Sequence, residues 1–227
     1  MSVTREMALS QLAEMIFSIS HDHPLRVAID GIDAAGKSML ADELVPLLER
    51  RGRPVIRASI DGFHRTRRER YQRGQDSAEG YYEDSFDYNS LREVLLQPVG
   101  PGGNRQFQRA VFDFHTDTPL PMRLEEAAPN AILLFDGVFL LMPVLNDLWD
   151  YRIFVHVDFE VALQRAIVRD QALFGSAEAV KARYLQRYIP GQRLYLKEVH
   201  PRERADVVVE NNDLMHSRLV FPSQTSN

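Results

Sequence analysis

The amino-acid sequence predicts an α/β fold in which helices flank a parallel sheet, and three observations support this. Residues 31–38, GIDAAGKS, fit the phosphate-binding pattern G-x-x-x-x-G-K-[ST]. An apolar run at 27–29 precedes the pattern as a buried strand would, and leucines at helical spacing follow it through 40–48. Two further apolar runs, at 54–60 and 131–136, are each closed by an aspartate, as expected where parallel strands end at a ligand site.

The pattern at 31–38 predicts a site for a nucleotide's phosphates. A glycine-bounded turn lets consecutive backbone N–H groups converge on a phosphate, a lysine reaches the terminal phosphates, and a hydroxyl can ligate magnesium. An ordinary glycine-rich loop is the alternative interpretation. The residues assigned to the nucleotide are Gly31, Asp33, Ala34, Ala35, Gly36, Lys37 and Ser38.

Composition indicates a globular protein with one large domain. The chain has 227 residues, is 44% hydrophobic and 26% charged, and contains no cysteine. Its net charge of −5 gives no general attraction for nucleic acid, so a small-molecule acceptor fits better than a polyanion. With no membrane span or secretory segment in the sequence, we expect no membrane partner and a cytoplasmic location. Whether the chain forms a homo-oligomer is left open.

The expected domain covers residues 1–222, beginning with an amphipathic helix at 4–20, and residues 223–227 are expected to be a disordered tail. Periodicity and turn residues predict a short helix at 91–96, a hairpin arm at 106–115, a helix at 139–149, a strand at 151–157, a helix at 178–188 interrupted near Pro190, and a last strand at 205–209.

Two carboxylates at strand ends are candidates for the chemistry. Asp61 follows the strand at 54–60 and could accept a proton from an acceptor hydroxyl during phosphoryl transfer. A turn or capping aspartate is the alternative, since glycine follows it. Asp136 ends the strand at 131–136 and could hold the hydration shell of magnesium beside Ser38, the alternative being a strand cap.

Arginines form a second group of candidates. Arg165 and Arg169 lie four residues apart on a predicted helix and therefore share a face. Arginines on a segment that covers the phosphates can neutralise charge that develops during transfer, whereas a solvated helix surface would look the same locally. Five more arginines between 65 and 73 favour a solvated face, with contacts to phosphates or to an anionic acceptor as the alternative.

Taken together, several motifs resemble those of the uridine kinase and phosphoribulokinase family of P-loop kinases. The resemblance extends from about residue 25 to about residue 212, and its motifs are GIDAAGKS at 31–38, IDGF at 60–63, FDF at 112–114, LFDG at 134–137, Arg165 with Arg169-Asp170, and Ala205-Asp206-Val207. It implies the three-layer P-loop NTPase fold, with a five-stranded parallel sheet flanked by helices, a small β-hairpin extension near the acceptor pocket, and an arginine lid around 165–176.

The resemblance also implies roles for individual residues. Lys37, Asp61, Arg165 and Arg169 would be catalytic, and Ser38 and Asp136 would hold Mg²⁺. Residues from Asp206 to Asn211 would lie near the nucleotide base. The acceptor would contact Asp61, His64, Tyr82, Phe112, His115 and Arg169.

Departures from the family motifs bear on the acceptor. Asp33-Ala34-Ala35 looks more like the thymidylate kinase loop, and the nucleoside motif Phe-Asp-His-Pro-Asp is GYYED here, at 80–84. Phe112 lacks the hydroxyl of the family's tyrosine, and Asp136 replaces a more usual glutamate. The sequence therefore predicts ATP- and magnesium-dependent phosphoryl transfer to a hydroxyl of a small molecule, with a nucleoside such as uridine as first choice. Pantothenate, nicotinamide riboside or a sugar derivative is the alternative acceptor, and a nucleotide-binding regulatory protein is the alternative class.

Overall fold

The structure is a computed structural model that describes residues 4–222. Its centre is a mixed sheet with the strand order β6-β5-β4-β1-β3-β2. Five strands run parallel, as predicted, and β6 pairs antiparallel with β5 at one edge. The strands are β1 (Leu25–Gly31), β2 (Val55–Ser59), β3 (Ile132–Gly137), β4 (Tyr151–His156), β5 (Val207–Glu210) and β6 (Arg218–Val220).

Helices cover both faces of the sheet, which confirms the three-layer prediction. The longer α-helices are α1 (Arg5–Ser18), α2 (Lys37–Glu49), α3 (Ala78–Asp84), α4 (Phe159–Phe174), α5 (Ala177–Arg183) and α6 (Ile189–Val199). Single turns of α-helix lie at Arg67–Arg70, Tyr88–Leu91, Pro143–Asn146 and Pro201–Arg204, a 3₁₀ turn at Ile60–Phe63, and π-helical turns at Arg92–Leu96 and Tyr184–Tyr188. No helix within 4–222 is long and apolar enough to cross a membrane.

The core is divided by the sheet because alternate residues of a strand face opposite sides. Val27 and Ile29 of β1 pack with α1 and α2, whereas Ala28 packs on the other side with residues of α3 and α6. All seven residues of β1 are buried, as in a central parallel strand. The carboxyl ends of β1, β2 and β3 lie on the same side of the sheet, and the candidate site is located there.

The predicted hairpin arm is present and is longer than expected. Gln106–Phe107 pairs with Glu125–Glu126, and within that loop Phe112–Asp113 pairs with Thr118–Pro119. The extension therefore returns through residue 126, beyond the predicted limit of 115. The backbone N–H of Val111 donates to the Gly62 carbonyl at 2.8 Å, which fixes the extension to the end of β2.

Three predicted elements differ from the observed ones. The helix expected at 139–149 is only the turn Pro143–Asn146: Phe139 has a left-handed backbone (φ 64°), Met142 is extended, and Pro143, which has no N–H to donate, is the first helical residue. The helical stretch expected to stop near Pro190 continues through α6, since a π-helical turn precedes the proline and Pro190 falls in the first turn of α6. Strand β5 is followed by β6, so the expected last strand is not the last. The predicted tail, 223–227, lies outside the described residues.

Asp30 is a buried carboxyl group that links β1 to α6 and to the loop after β3. It is fully buried, accepts a hydrogen bond from the Tyr195 hydroxyl of α6, and accepts another from the Leu140 N–H at 3.2 Å. Burial raises the pKa of Asp30 from 3.8 to about 6, and the hydrogen bonds only partly oppose this rise.

The raised pKa of Asp30 predicts a pH-dependent stability. Because the folded protein binds this proton more tightly than the unfolded chain, the stabilisation is complete below about pH 3.8 and is lost as the pH rises to about 6. The loss amounts to about 3 kcal/mol. Urea unfolding of the wild type and of Asp30→Asn should therefore give a difference in unfolding free energy that changes by about 3 kcal/mol between about pH 4 and pH 7. A difference independent of pH would contradict this assignment.

Candidate active site

The phosphate-binding loop connects β1 to α2 and requires glycine at both ends. Gly36 caps α2 with a left-handed backbone (φ 94°), and a Cβ there would lie 2.7 Å from the Asn211 side-chain nitrogen. A Cβ at Gly31 would lie 2.5 Å from the Val155 carbonyl oxygen of the neighbouring strand. The loop is thus packed closely against β4 and against Asn211, the residue after β5.

Lys37, the first residue of α2, lies across the phosphate-binding loop. Its Nζ donates to the Ile32 carbonyl at 2.8 Å, and its side chain is buried. Burial lowers the pKa of Lys37, and the carboxylates of Asp33, Asp30 and Asp136 oppose that effect. The ammonium group is therefore already among carboxylates at the carboxyl ends of the strands, within the loop that would hold the phosphates.

Ser38 and Asp136, predicted to lie beside magnesium, are in direct contact. The Ser38 Oγ donates to Asp136 Oδ2 at 2.6 Å, and Arg57 of β2 donates to the other carboxylate oxygen at 2.9 Å. Asp136 is buried at the end of β3. A hydroxyl next to a carboxylate is the hard oxygen donor set that Mg²⁺ prefers, so these residues fit the expected ion.

A cavity of about 320 Å³ adjoins the loop and brings together seven of the predicted site residues. It is lined by Asp33, Lys37, Ser38, Asp61, Asp136 and Arg169, among others. Asp61 lies in the 3₁₀ turn after β2. Its side chain is accessible to solvent, but only inside the cavity, where the surrounding walls reduce its hydration. Burial in the cavity raises the pKa of Asp61, and the nearby carboxylates of Asp33 and Asp136 raise it further.

His64 lines the same cavity with an aromatic ring. Its ring packs against Phe86 and Phe114, with centroids 4.6 and 4.9 Å away. Its Nδ1 lies 3.0 Å from the Asp61 carbonyl oxygen, which can only accept, so Nδ1 carries the proton and Nε2 keeps a lone pair. Burial lowers the pKa of His64 to about 4, so the imidazole is neutral at physiological pH.

The two lid arginines do not share a partner. Arg169 lines the cavity, where it donates to both carboxylate oxygens of Asp170 at 2.7 and 3.0 Å and to the Tyr184 hydroxyl at 3.1 Å. Arg165 donates to the backbone carbonyls of Asn211 and Asn212 at 2.8 and 2.9 Å and lies outside the cavity. The predicted lid, 165–176, is the second half of α4 with the turn at Gly175.

This separation predicts different kinetic effects for a matched pair of variants. Arg169→Ala should lower kcat by about 10²-fold, because a cation beside the transferring group is lost. Arg165→Ala should change kcat much less and should raise the KM for the nucleotide, because the hydrogen bonds that hold the carbonyls of residues 211 and 212 are lost. Steady-state kinetics of both variants test this. Equal losses of kcat would contradict the assignment of Arg169 to the cavity chemistry.

Asn211 and Asp206, both expected near the nucleotide base, lie at opposite ends of β5. Asn211 follows the carboxyl end, where its Nδ2 donates to the Ala35 carbonyl at 2.6 Å and its Oδ1 accepts from Arg5 and Ser217. Asp206 precedes the strand and accepts from the Arg152 N–H at 2.7 Å. The parallel strands all have their carboxyl ends on the same side of the sheet, and Asp206 precedes β5. It therefore lies on the side opposite the phosphate-binding loop, which corrects its predicted position.

Three residues expected to contact the acceptor do not line the cavity. Tyr82 packs in the core against Phe139 and Tyr195. Phe112 is a buried residue of the hairpin itself, and His115 is exposed, with its ring against that of Phe114. Four other aromatic residues line the cavity instead, namely Tyr81, Phe114, Tyr184 and Tyr188. Successive residues of a helix or strand point in different directions, and the aromatic pairs give no signal as to which member faces the site.

Comparisons with known proteins give the relatives of this chain. The model of the Phosphoribulokinase / Uridine kinase family matches residues 27–214. The chain is 28% identical over 192 residues to uridine-cytidine kinase B of Dictyostelium discoideum, covering 82% of this chain and 74% of that protein. It is 25% identical over 189 residues to uridine kinase of Chlamydia pneumoniae, covering 82% and 81%.

Among solved structures, a possible uridine kinase from Bacillus stearothermophilus superposes with a TM-score of 0.70 at 23% identity, covering 88% of this chain and 96% of that one. At this identity the likeness concerns the fold. The family match covers most of the chain, from β1 to the segment after β5, and includes the loop and both strand-end aspartates. The chain therefore belongs to the phosphoribulokinase and uridine kinase family and is a small-molecule kinase.

Proposed function

We propose that this kinase transfers the γ-phosphoryl group of ATP, with Mg²⁺, to a hydroxyl of a nucleoside such as uridine. The names of the relatives in Dictyostelium and Chlamydia support a nucleoside acceptor. The aromatic walls formed by His64, Phe86 and Phe114 are suited to hold a planar ring.

The observation that carries the proposal is that Asp61 lies in the same cavity as Lys37 and Ser38. A nucleotide-binding site alone needs the loop, the lysine and the hydroxyl. A carboxylate with a raised pKa beside them supplies a proton acceptor for an attacking hydroxyl. The site therefore has separate groups for the phosphate donor and for the acceptor.

The transfer breaks the bond between the γ-phosphorus and the oxygen that leaves with ADP, and forms a bond to the acceptor oxygen. The Asp61 carboxylate takes the acceptor's proton, while Lys37 and the loop N–H groups hold the phosphates. Arg169 offsets negative charge on the transferring group. Ser38 and Asp136 would hold Mg²⁺, which neutralises phosphate charge when bound.

The proposal is tested by ADP release from ATP by the purified protein, with and without magnesium, across uridine, cytidine, nicotinamide riboside, pantothenate and neutral sugars. We expect magnesium-dependent release stimulated by a nucleoside. Stimulation by pantothenate or a sugar alone would contradict the nucleoside assignment. Release that no acceptor stimulates would contradict the whole proposal.

A further inference from the structure

Asp33 of the phosphate-binding loop is held by two buried side chains from distant parts of the chain. The Tyr81 hydroxyl of α3 donates to Asp33 Oδ2 at 2.7 Å, and the Gln192 Nε2 of α6 donates to the same oxygen at 2.6 Å. Tyr81 is 7% exposed and Gln192 is 2% exposed. Two polar groups are therefore buried with their hydrogen bonds directed at one carboxylate oxygen.

This arrangement leaves the other oxygen of Asp33 for a ligand. The two donors occupy the two lone-pair directions of Oδ2. Within residues 4–222 no side chain or backbone group donates to Oδ1, and Asp33 lines the cavity that also contains Asp61. The Asp33 carboxylate is thus fixed in orientation and has hydrogen-bonding capacity to spare at the cavity wall.

A carboxylate in this loop has an electrostatic cost. The loop's N–H groups and Lys37 are arranged to bind phosphates, and a negative charge among them weakens that attraction. Residues that break a local rule in this way are expected where they serve a function. A hydroxyl of the acceptor is the ligand that would use a fixed carboxylate oxygen in this cavity.

The geometry points to Asp33 as a specificity-determining residue that accepts a hydrogen bond from a second hydroxyl of the acceptor, one that is not phosphorylated. Tyr81 and Gln192 are the positioning residues that orient it. The acceptor class is then an uncharged molecule with at least two hydroxyls, such as the diol of a ribonucleoside. This inference rests on the proposed phosphoryl transfer to a small-molecule hydroxyl.

The charges around the cavity support an uncharged acceptor. Asp33 and Asp61 supply two carboxylates, and His64 Nε2 supplies a further lone pair. Of the cavity's cations within the described chain, Lys37 belongs to the phosphate loop, and Arg169 is assigned to the transferring phosphoryl group. An anionic acceptor would meet carboxylates with no cation committed to it, so pantothenate is disfavoured.

The test is a cycle between enzyme and substrate. The ratio kcat/KM is measured for uridine, 2′-deoxyuridine, 3′-deoxyuridine and pantothenate with the wild type and with Asp33→Asn. For uridine we expect the variant to lose about 10- to 100-fold, the worth of a hydrogen bond to a charged group. For the analogue that lacks the contacted hydroxyl, the wild type should already be slow and the substitution should cause little further loss.

A second variant separates recognition from folding. Tyr81→Phe keeps the ring and removes one donor to Asp33. Its loss of kcat/KM should therefore be smaller than that of Asp33→Asn, and it should again be largest for the nucleosides that retain the contacted hydroxyl. The melting temperature of each variant shows whether it is folded. Equal losses for all three nucleosides in both variants would overturn the role of Asp33 and leave the proposed function standing. Turnover of pantothenate without uridine, or no turnover of any of the four, would overturn both.

Discussion

Replacing Asp61 with Asn is expected to lower kcat by about 10²- to 10⁴-fold, the usual contribution of a general base. Asparagine has nearly the same shape but cannot accept the acceptor's proton. The KM for ATP should change little, because Asp61 is not among the groups proposed to hold the phosphates. Steady-state kinetics with the best acceptor give both values.

The pH dependence gives a second measure of the same residue. Only the ionised carboxylate can accept a proton, and burial in the cavity raises the pKa of Asp61. Activity of the wild type should therefore fall as the pH is lowered, beginning above the usual range for aspartate, and Asp61→Asn should lack this limb.

The matched control for Asp61 is Asp147→Asn. Asp147 is an exposed carboxylate that lies outside the cavity, and it undergoes the same chemical change. We expect it to retain wild-type kinetics. Full turnover by Asp61→Asn, with an unchanged pH profile, would contradict the assignment of the base.

Replacing Lys37 with Ala is expected to lower kcat by about 10²- to 10³-fold, as for other single donors that stabilise a transition state, and also to weaken nucleotide binding. The ammonium group lies inside the loop, 2.8 Å from the Ile32 carbonyl and close to several carboxylates. Its removal takes away the positive charge that is proposed to bind the phosphates. Nucleotide titration and steady-state kinetics separate the two effects.

For Lys37 the control is Lys181→Ala, which removes the exposed ammonium of α5 outside the cavity. It should have no effect on nucleotide affinity or kcat. If Lys37→Ala bound and turned over ATP like the wild type, the phosphate loop would not hold the transferred nucleotide, and the site would need to be placed elsewhere.

Local patterns predicted the sheet and its main helices because each buried strand is a short apolar run with a turn after it. The runs at 27–29 and 131–136 belong to β1 and β3, which are buried along their whole length. Strand β6 was missed because Arg218 is exposed, Leu219 and Val220 are only partly buried, and the three residues carry no such pattern. The helix expected at 139–149 was wrong because local periodicity does not reveal the left-handed backbone of Phe139.

The candidate site shows the same limit. Gly31, Lys37, Ser38 and Asp136 follow from motifs that are continuous in sequence, and the structure places them together. The contacts of Asp33 with Tyr81 and Gln192 join residues 48 and 159 positions apart, and no local spacing indicates them. Likewise, Arg165 and Arg169 share a helix, but Arg165 binds the segment after β5 and Arg169 binds Asp170 of α4, which separates their positions in the site.

The most direct test of the central claim is to follow the label from ATP that is radioactive in its γ-phosphoryl group. The purified protein is incubated with this ATP, magnesium and uridine, and the products are separated. We predict that the label appears on the nucleoside, in an amount equal to the ADP formed, and that Asp61→Asn abolishes this transfer. Label found only in inorganic phosphate, at a rate unaffected by uridine, would contradict the account.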